Sequence, residues 1–245
     1  MQGNKIAVTG VGETAFLRKG EESVMHMMTR ASLAAIADAG LKPTDIDGYV
    51  SNKYAGHPSE EVAYAIGAGE RRFTAVADTA GGTATTGDAL RLAQLAIEAG
   101  LARHVLVPYA IRSTKPGGVY GFHAREPQKA GLEMPLGFFG QPTYFATMAN
   151  RYAHEFGMSE EELAAVAITY RAWAAITPHA QRREAMDLEG YRQSPMISTP
   201  LRVADCCLTT DAGCAYVVSS AEAARDLPHP VVAVQGVGIG YNNYP

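Results

Sequence analysis

Three cysteines, two tyrosines and a short run of threonines are the residues of this 245-residue chain whose types and spacing bear on chemistry. Cys206 and Cys207 are adjacent and Cys214 follows after a six-residue gap. That spacing does not match the ligand pattern of a tetrahedral zinc site, so no metal is expected. As a nucleophile, Cys207 needs a base and a depressed pKa. The plainer reading makes all three cysteines small buried residues that pack the core. Thr83, Thr85 and Thr86 follow Gly81-Gly82. A threonine attacks only beside a base, none is visible nearby, and the reading adopted is that one of them caps a helix. Tyr241 and Tyr244 follow the glycine-rich stretch Gly236–Gly240. A phenol serves as an acid/base group when its neighbours tune its pKa; otherwise the two are ordinary loop residues. Asp211, two residues before Gly213, suits hydrogen bonding to backbone amides in a turn.

These residues need elements to position them. Ile6–Gly10 reads as a buried strand, followed by a helix over Glu21–Ala39 that Gly40 closes. Gly48–Ser51 is the second strand, Glu61–Ile66 a short helix and Phe73–Ala77 the third strand. A helix over Thr86–Ala99, ended by Gly100, leads to a fourth strand at His104–Val107. This alternation predicts a sheet with helices on its faces. The pattern then breaks from Ala110 to about Pro142. Helices follow at Thr143–Phe156 and Ser159–Ala175, the second opened by a Ser159/Glu162 capping box. Residues 110–200 therefore read as a long insertion, a segment of the kind that forms lids and binding surfaces. Ala215–Ser219 is the fifth strand. A second capping box, from Ser219 to Glu222, predicts a short helix ending near Leu227.

Gly10-Val11-Gly12-Glu13-Thr14-Ala15 formally fits a dinucleotide fingerprint. That motif requires a helix to start at once and an acid at the end of the second strand. Here the helix is expected at about Glu21 and the second strand runs into Ser51-Asn52-Lys53, so no nicotinamide site is expected. The same opening stretch recurs: Ile6–Gly12 and Val232–Gly238 are identical at five of seven positions. A repeat of this kind marks duplicated architecture. It predicts that residues 1–230 are one copy of a duplicated fold, that a second copy begins near 231, and that its first strand is an unpaired edge. The chain is then expected to be a fragment or one part of an assembly.

Composition narrows the class. The chain is 47% hydrophobic and 19% charged with a net charge of −4, which is globular and carries no electrostatic footprint for nucleic acid. No apolar run approaches the ~18 residues of a membrane span. Met1–Lys5 leads straight into a strand, so no leader is expected. An odd number of crowded cysteines argues for a reducing, cytoplasmic setting.

Several stretches taken together resemble the thiolase superfamily, in its sterol-carrier-protein-x and lipid-transfer-protein branch. Ile6–Phe16 is similar to the branch's first strand and loop. Gly81-Gly82-Thr83 with Ala96–Ala102 resembles its nucleophile-loop helix. Tyr152–Ala180 resembles its loop domain, and Pro200–Gly213, with Asp205-Cys206-Cys207 and Thr210-Asp211-Ala212-Gly213, is the strongest match. The resemblance implies an α/β fold: a thiolase-like layered αβα half (βαβαβαββ) with a long loop-domain insertion. The implied parts are the half's first portion (1–109), a loop domain on the coenzyme A side (110–204), the end of the half (205–230) and the start of a second half (231–245). It also implies a homodimer through the third strand. The positively charged insertion residues Lys115, Arg125, Lys129, Arg151 and Arg171 suit either coenzyme A phosphates or a solvated surface, and His123, His154 and His179 read by default as surface residues, with a ligand-facing role as the other reading.

The departures from the family pattern set the expected chemistry. Thiolases carry a cysteine where this chain has Gly81–Gly87, so the acyl-enzyme route is not expected. The His-Gly-Gly, Cys-x-Gly and Asn-Glu loops of the family's second half are absent from this sequence. The resemblance therefore implies a thiolase-like acyl-CoA C–C bond lyase or acyltransferase working by retro-aldol or related chemistry on a β-hydroxy- or β-ketoacyl-CoA. Tyr241 and Tyr244 are the candidate acid/base groups, by likeness to steroid side-chain aldolases. Thr83 and Cys207 are the candidate substrate-binding residues; many thiolases place a serine near the pantetheine arm where Cys207 stands. Coenzyme A thioester is the substrate, with no covalently bound cofactor. An OB-fold partner of the DUF35 type is possible in this branch. The other reading is a non-catalytic thiolase-like subunit that binds acyl-CoA or a partner protein.

Overall fold

A computed structural model describes residues 5–52, 59–77, 82–113, 127–138 and 140–240. They form two compact units, one of Met1–Ala15, Glu21–Arg112 and Ala212–Pro245, the other of Phe16–Gly20 and Ser113–Asp211.

In the first unit the chain runs β1 (Ile6–Glu13), α1 (Val24–Asp38), β2 (Gly48–Asn52), α2 (Ser59–Ile66), β3 (Phe73–Ala77), α3 (Gly82–Glu98), β4 (His104–Arg112), β7 (Asp211–Ser220) and β8 (Val232–Ala233). The strands make one sheet in the order β3-β2-β4-β7-β1-β8. β2 is parallel to β3 and β4, while β1 is antiparallel to β7 and β8. Alternate residues along a strand face opposite sides, and the core follows that rule. Val50, Val105 and Val218 pack with Ala89, Ala93 and Ala96 of α3 on one face. Tyr49, Leu106 and Val217 pack with Ala31, Ala35 and Ile36 of α1 on the other.

Helix α1 starts three residues later than expected because Ser23 is the cap, accepting a hydrogen bond from His26 N at 3.1 Å. The two glycines of the rejected dinucleotide fingerprint have a packing role here. A Cβ on Gly10 would stand 2.2 Å from the Ala35 carbonyl oxygen, and one on Gly12 would stand 2.3 Å from that of Ala31. Gly213 on β7 is constrained in the same way, 2.6 Å from the Met27 carbonyl oxygen. Only strands without side chains at these positions let α1 lie directly on them.

Three further expectations are corrected. The second copy's first strand does not stand unpaired: Ala233 and Val232 pair with Ala7 and Val8 of β1, and Val234 N donates to the Ile6 carbonyl at 3.0 Å, so that β8 is the outermost strand of the sheet, paired on one side. The strand character ends at Ala233, however, and 234–240 runs on without regular structure. After β7 the cap is Ser220, not Ser219; its hydroxyl accepts from Ala223 N, and the element is a 3-10 turn over Ala223–Asp226. Ser219 is buried elsewhere, its hydroxyl hydrogen-bonded to the Thr9 hydroxyl and to His104 Nδ1.

The second unit holds α4 (Gln141–Phe156), α5 (Glu160–Ile176), α6 (Leu188–Gln193) and the hairpin β5 (Met196–Ser198) and β6 (Leu201–Arg202). The capping box of α5 forms in both directions: Glu162 N donates to Ser159 Oγ at 3.2 Å and Ser159 N to Glu162 Oε2 at 2.8 Å. Ala164, Ala167 and Tyr191 make its core. Arg202 ties the hairpin to the first turn of α5 through Glu160 at 2.7 Å, and Arg192 of α6 reaches Glu161 at 2.6 Å.

Candidate functional site

The second unit encloses a cavity of about 580 Å³ between α5 and the segment after β6. Its walls are mainly apolar, among them Leu163, Val166, Ala167 and Leu208, and its polar groups include Arg171, Gln181, Arg182 and Asp205. An apolar hollow with a few placed polar groups is the usual form of a small-molecule site.

The segment Val203–Leu208 is held in place by Asp205. Its Oδ2 accepts from Arg202 N at 2.6 Å and from the hydroxyl of the fully buried Tyr191 at 3.0 Å. The Tyr191 phenol is pushed up, first by burial and then by that bond to the carboxylate. On the next turn of chain, Gln181 Nε2 donates to Thr210 Oγ1 at 2.9 Å. Cys206 and Cys207 lie between these two anchors and line the cavity. Cys206 is half-buried and Cys207 exposed. Burial, then the nearby Asp205 charge, pushes the Cys206 thiol up. Cys214, on β7 of the first unit, is also exposed, although its thiol is pushed up by burial and by Glu13. The expectation of three buried packing cysteines is therefore corrected. The chain between Asp205 and Asp211 runs along the rim of a cavity, which leaves its thiols open.

Arg171 is the basic group best placed for an anion. Its Nε is buried and has no hydrogen-bond partner among the described residues, while one Nη lies 3.6 Å from the exposed Glu184. Of the other expected cations, Arg151 is paired with Glu155 at 2.5 Å and Lys129 stands 6.0 Å over the Tyr144 ring. Lys115, Arg125 and His123 lie outside the described residues. His154 is exposed near the end of α4, and His179 stacks on Phe16 with 5.8 Å between centroids. Asp211 is fully buried at the start of β7 and its Oδ2 accepts from Gly20 N at 3.0 Å, so the expected turn role is corrected: the amide it holds belongs to a distant segment.

In the first unit, Thr83 lies in the opening turn of α3, which begins at Gly82. Two neighbours meet this end of the helix. The Tyr216 hydroxyl, on β7, donates to the Thr86 carbonyl at 3.4 Å. A Cβ on Gly87 would stand 3.5 Å from Ile239 Cγ1, so the chain leading into Tyr241 comes back to the first turns of α3. Tyr241 and Tyr244 themselves lie outside the described residues. The Tyr216 phenol is pushed up by burial, then by Cys214, which keeps its hydroxyl protonated.

Sequence reasoning did not single out Asp205, Gln181, Arg182 or Tyr216. The one sequence signal for Asp205 is its place three residues after Arg202, the spacing of a capping contact. Tyr216 sits in an alternating strand and gave none.

No family model matches the chain. It is 34% identical to the steroid side-chain-cleaving aldolase of Thermomonospora curvata, over 97% of this chain and 63% of that protein. It is 31% identical to the 17-hydroxy-3-oxo-4-pregnene-20-carboxyl-CoA lyase of Mycobacterium tuberculosis, over 98% of this chain and 64% of that one. The chain thus spans less than two thirds of the length of these relatives. Among solved structures, an Ltp2-ChsH2(DUF35) aldolase matches with a TM-score of 0.84 and 34% identity, covering 95% of this chain and 60% of the other. A monomeric SCP2-thiolase like protein type 1 from Mycobacterium smegmatis matches with a TM-score of 0.68 at 19% identity, over 92% of this chain and 48% of that one.

Proposed function

The chain belongs to the thiolase superfamily, in its sterol-carrier-protein-x and lipid-transfer-protein branch, and on that premise we propose that it is part of an acyl-CoA carbon–carbon lyase that works without an acyl-enzyme. The observation that carries this reading is the composition of α3. A thiolase needs a cysteine thiolate at the start of this helix, where dipole and amides stabilise it. Here the opening turns hold Gly82-Thr83-Ala84-Thr85-Thr86-Gly87, which offers no thiol.

Retro-aldol cleavage needs none. A base removes the β-hydroxyl proton of a β-hydroxyacyl-CoA, the Cα–Cβ bond breaks, and the electron pair moves into the thioester as an enolate. Protonation of that enolate gives the shortened acyl-CoA, and the Cβ fragment leaves as an aldehyde or ketone. Tyr241 and Tyr244 are the proposed acid/base groups, by likeness to steroid side-chain aldolases. The names of the two curated relatives, an aldolase and a CoA lyase of steroid side chains, support both the bond cleaved and a bulky alicyclic acyl group.

The cavity beneath α5 is the proposed seat of coenzyme A. Its apolar wall suits the pantetheine arm, Arg171 and Arg182 the phosphates, and Cys207 lines the channel without reacting in the cleavage. A homodimer through β3 is part of the proposal, supported by that strand's place at the sheet edge with Val76 exposed. So is a DUF35-type partner, by likeness to the Ltp2-ChsH2(DUF35) aldolase. A cytoplasmic setting is supported by three cysteines that are all free thiols. No helix among the described residues is long and apolar enough to cross a membrane.

The test is product analysis with the assembly purified from its source. It is incubated with a steroid β-hydroxyacyl-CoA and, separately, with a β-ketoacyl-CoA plus free coenzyme A. Release of a ketone or aldehyde from the first alone is expected. Thiolysis of the second would overturn the reading of α3.

A further inference from the structure

Cys206 and Cys207 take no part in the proposed cleavage, yet both thiols lie on the wall of the cavity assigned to coenzyme A. We propose that Cys207 is a modification site that forms a mixed disulfide with coenzyme A, reversibly closing the cavity to substrate. The proposal rests on the assignment of that cavity to coenzyme A and adds a regulation to it.

Four features carry it. Cys207 is exposed where Cys206 is half-buried, so Cys207 is the accessible sulfur. Asp205, locked by Arg202 N and the Tyr191 hydroxyl, stands beside Cys206 and with burial holds that neighbour in its thiol form. Attack on a disulfide needs a sulfur that the reagent can reach, and of the adjacent pair Cys207 is the exposed one. Arg171 and Arg182 outnumber Asp205 among the charged groups of the cavity wall, which favours an anionic disulfide over a neutral one.

The oxidant is the disulfide of coenzyme A. The Cys207 thiolate attacks one sulfur, the S–S bond of the reagent breaks, and one coenzyme A departs as thiolate and takes up a proton from water. The second coenzyme A stays bound to Cys207 through the new S–S bond. The Cys207 sulfur is oxidised from thiol to disulfide level, the departing coenzyme A sulfur is reduced from disulfide to thiol level, and one S–S bond is exchanged for another, so the step balances.

Cys206 does not readily displace the adduct. The Cys206–Cys207 peptide is trans, so the two Cα atoms are held about 3.8 Å apart. That is shorter than the about 4.4–6.8 Å an unstrained disulfide spans. The mixed disulfide therefore persists until an external thiol removes it.

The experiment exposes the reduced chain to coenzyme A disulfide or to neutral 2-hydroxyethyl disulfide at equal concentration, followed by mass mapping of non-reduced peptides. The expected result is a coenzyme A adduct on Cys207, formed about tenfold faster than the neutral adduct through electrostatic attraction and removed by dithiothreitol. Cys207→Ser abolishes it and Cys214→Ser retains it. Modification of Cys214 in preference, a Cys206–Cys207 disulfide as the end product, or equal rates for the two reagents would overturn the proposal. Calorimetric titration of the reduced wild-type chain with reduced coenzyme A separates the two ideas. Binding without any adduct on the wild-type chain sinks the modification alone; absence of binding sinks the cavity assignment and the modification with it.

Discussion

Replacing Asp205 by alanine removes the acceptor that holds the cavity's cysteine segment. Two donors lose their partner, Arg202 N at 2.6 Å and the Tyr191 hydroxyl at 3.0 Å. Tyr191 is fully buried, so its orphaned hydroxyl costs about 1–3 kcal/mol, and the bond from the amide to an ionised carboxylate is worth a further ~1.5 kcal/mol. Asp205→Ala is therefore expected to destabilise the second unit by about 3–4 kcal/mol. Tyr191→Phe removes only the hydroxyl and leaves the Arg202 contact, for about 1 kcal/mol. Once the hydroxyl is gone, deleting Asp205 orphans nothing but the amide. The double variant should then fall short of the sum of the singles by about 1–2 kcal/mol, the coupling of two residues in contact. The chain's single tryptophan, Trp173, lies on α5 in the same unit, so its emission during urea unfolding reads out this unit. Additive losses would show that Asp205 and Tyr191 do not share a bond, and a loss below 1 kcal/mol for Asp205→Ala would refute its role as the anchor.

Gly12→Ala puts a methyl 2.3 Å from the Ala31 carbonyl and should cost about 3 kcal/mol through overpacking, seen as a lowered thermal midpoint; an unchanged midpoint would mean that α1 is free to move off β1. His104 is buried, with Nδ1 2.8 Å from Ser219 Oγ, and burial pulls its pKa below the ordinary histidine value. The folded state then binds fewer protons than the unfolded one, so this contribution is complete above about pH 6.5 and is lost as the pH falls below that toward the folded-state pKa. Urea midpoints between pH 7 and 5 should fall less steeply in His104→Gln than in wild type. Arg171→Ala should weaken coenzyme A binding about tenfold, as loss of a charged hydrogen bond implies, with Arg171→Lys recovering part of it because a point charge replaces the fork; calorimetry of the three proteins measures both, and unchanged affinity would remove Arg171 from the site.

The parts of the fold with local signals were readable in advance. The Ser159–Glu162 capping box marks the start of α5, and Gly40 and Gly100 stand in the left-handed conformation just past α1 and α3. Helix starts set by less regular signals drifted, as at Ser23, where one hydroxyl outweighed the acidic pair before it. What depends on distant segments was not readable. The sequence shows Gly10-Val11-Gly12 but not the carbonyls of α1 that require it. It shows Cys206-Cys207 as small apolar residues but not that Asp205 turns them onto a cavity rim. The pairing of β8 with β1 joins residues more than two hundred positions apart, and no local pattern predicts it. For the site, the missing cysteine of α3 was legible because the pattern is local, whereas Arg171 emerged from five equivalent cations only through its buried and unpaired Nε.

The central claim is carbon–carbon cleavage with no covalent acyl-enzyme. Its most direct test is a rapid acid quench of the native assembly during turnover of a β-hydroxyacyl-CoA carrying an isotopic label in the acyl group, with intact mass and product read from the same sample. The account predicts a carbonyl product released at each time point and no labelled acyl group on this chain. An acyl adduct that forms and decays at the rate of turnover, on Thr83 or on any cysteine, would contradict it.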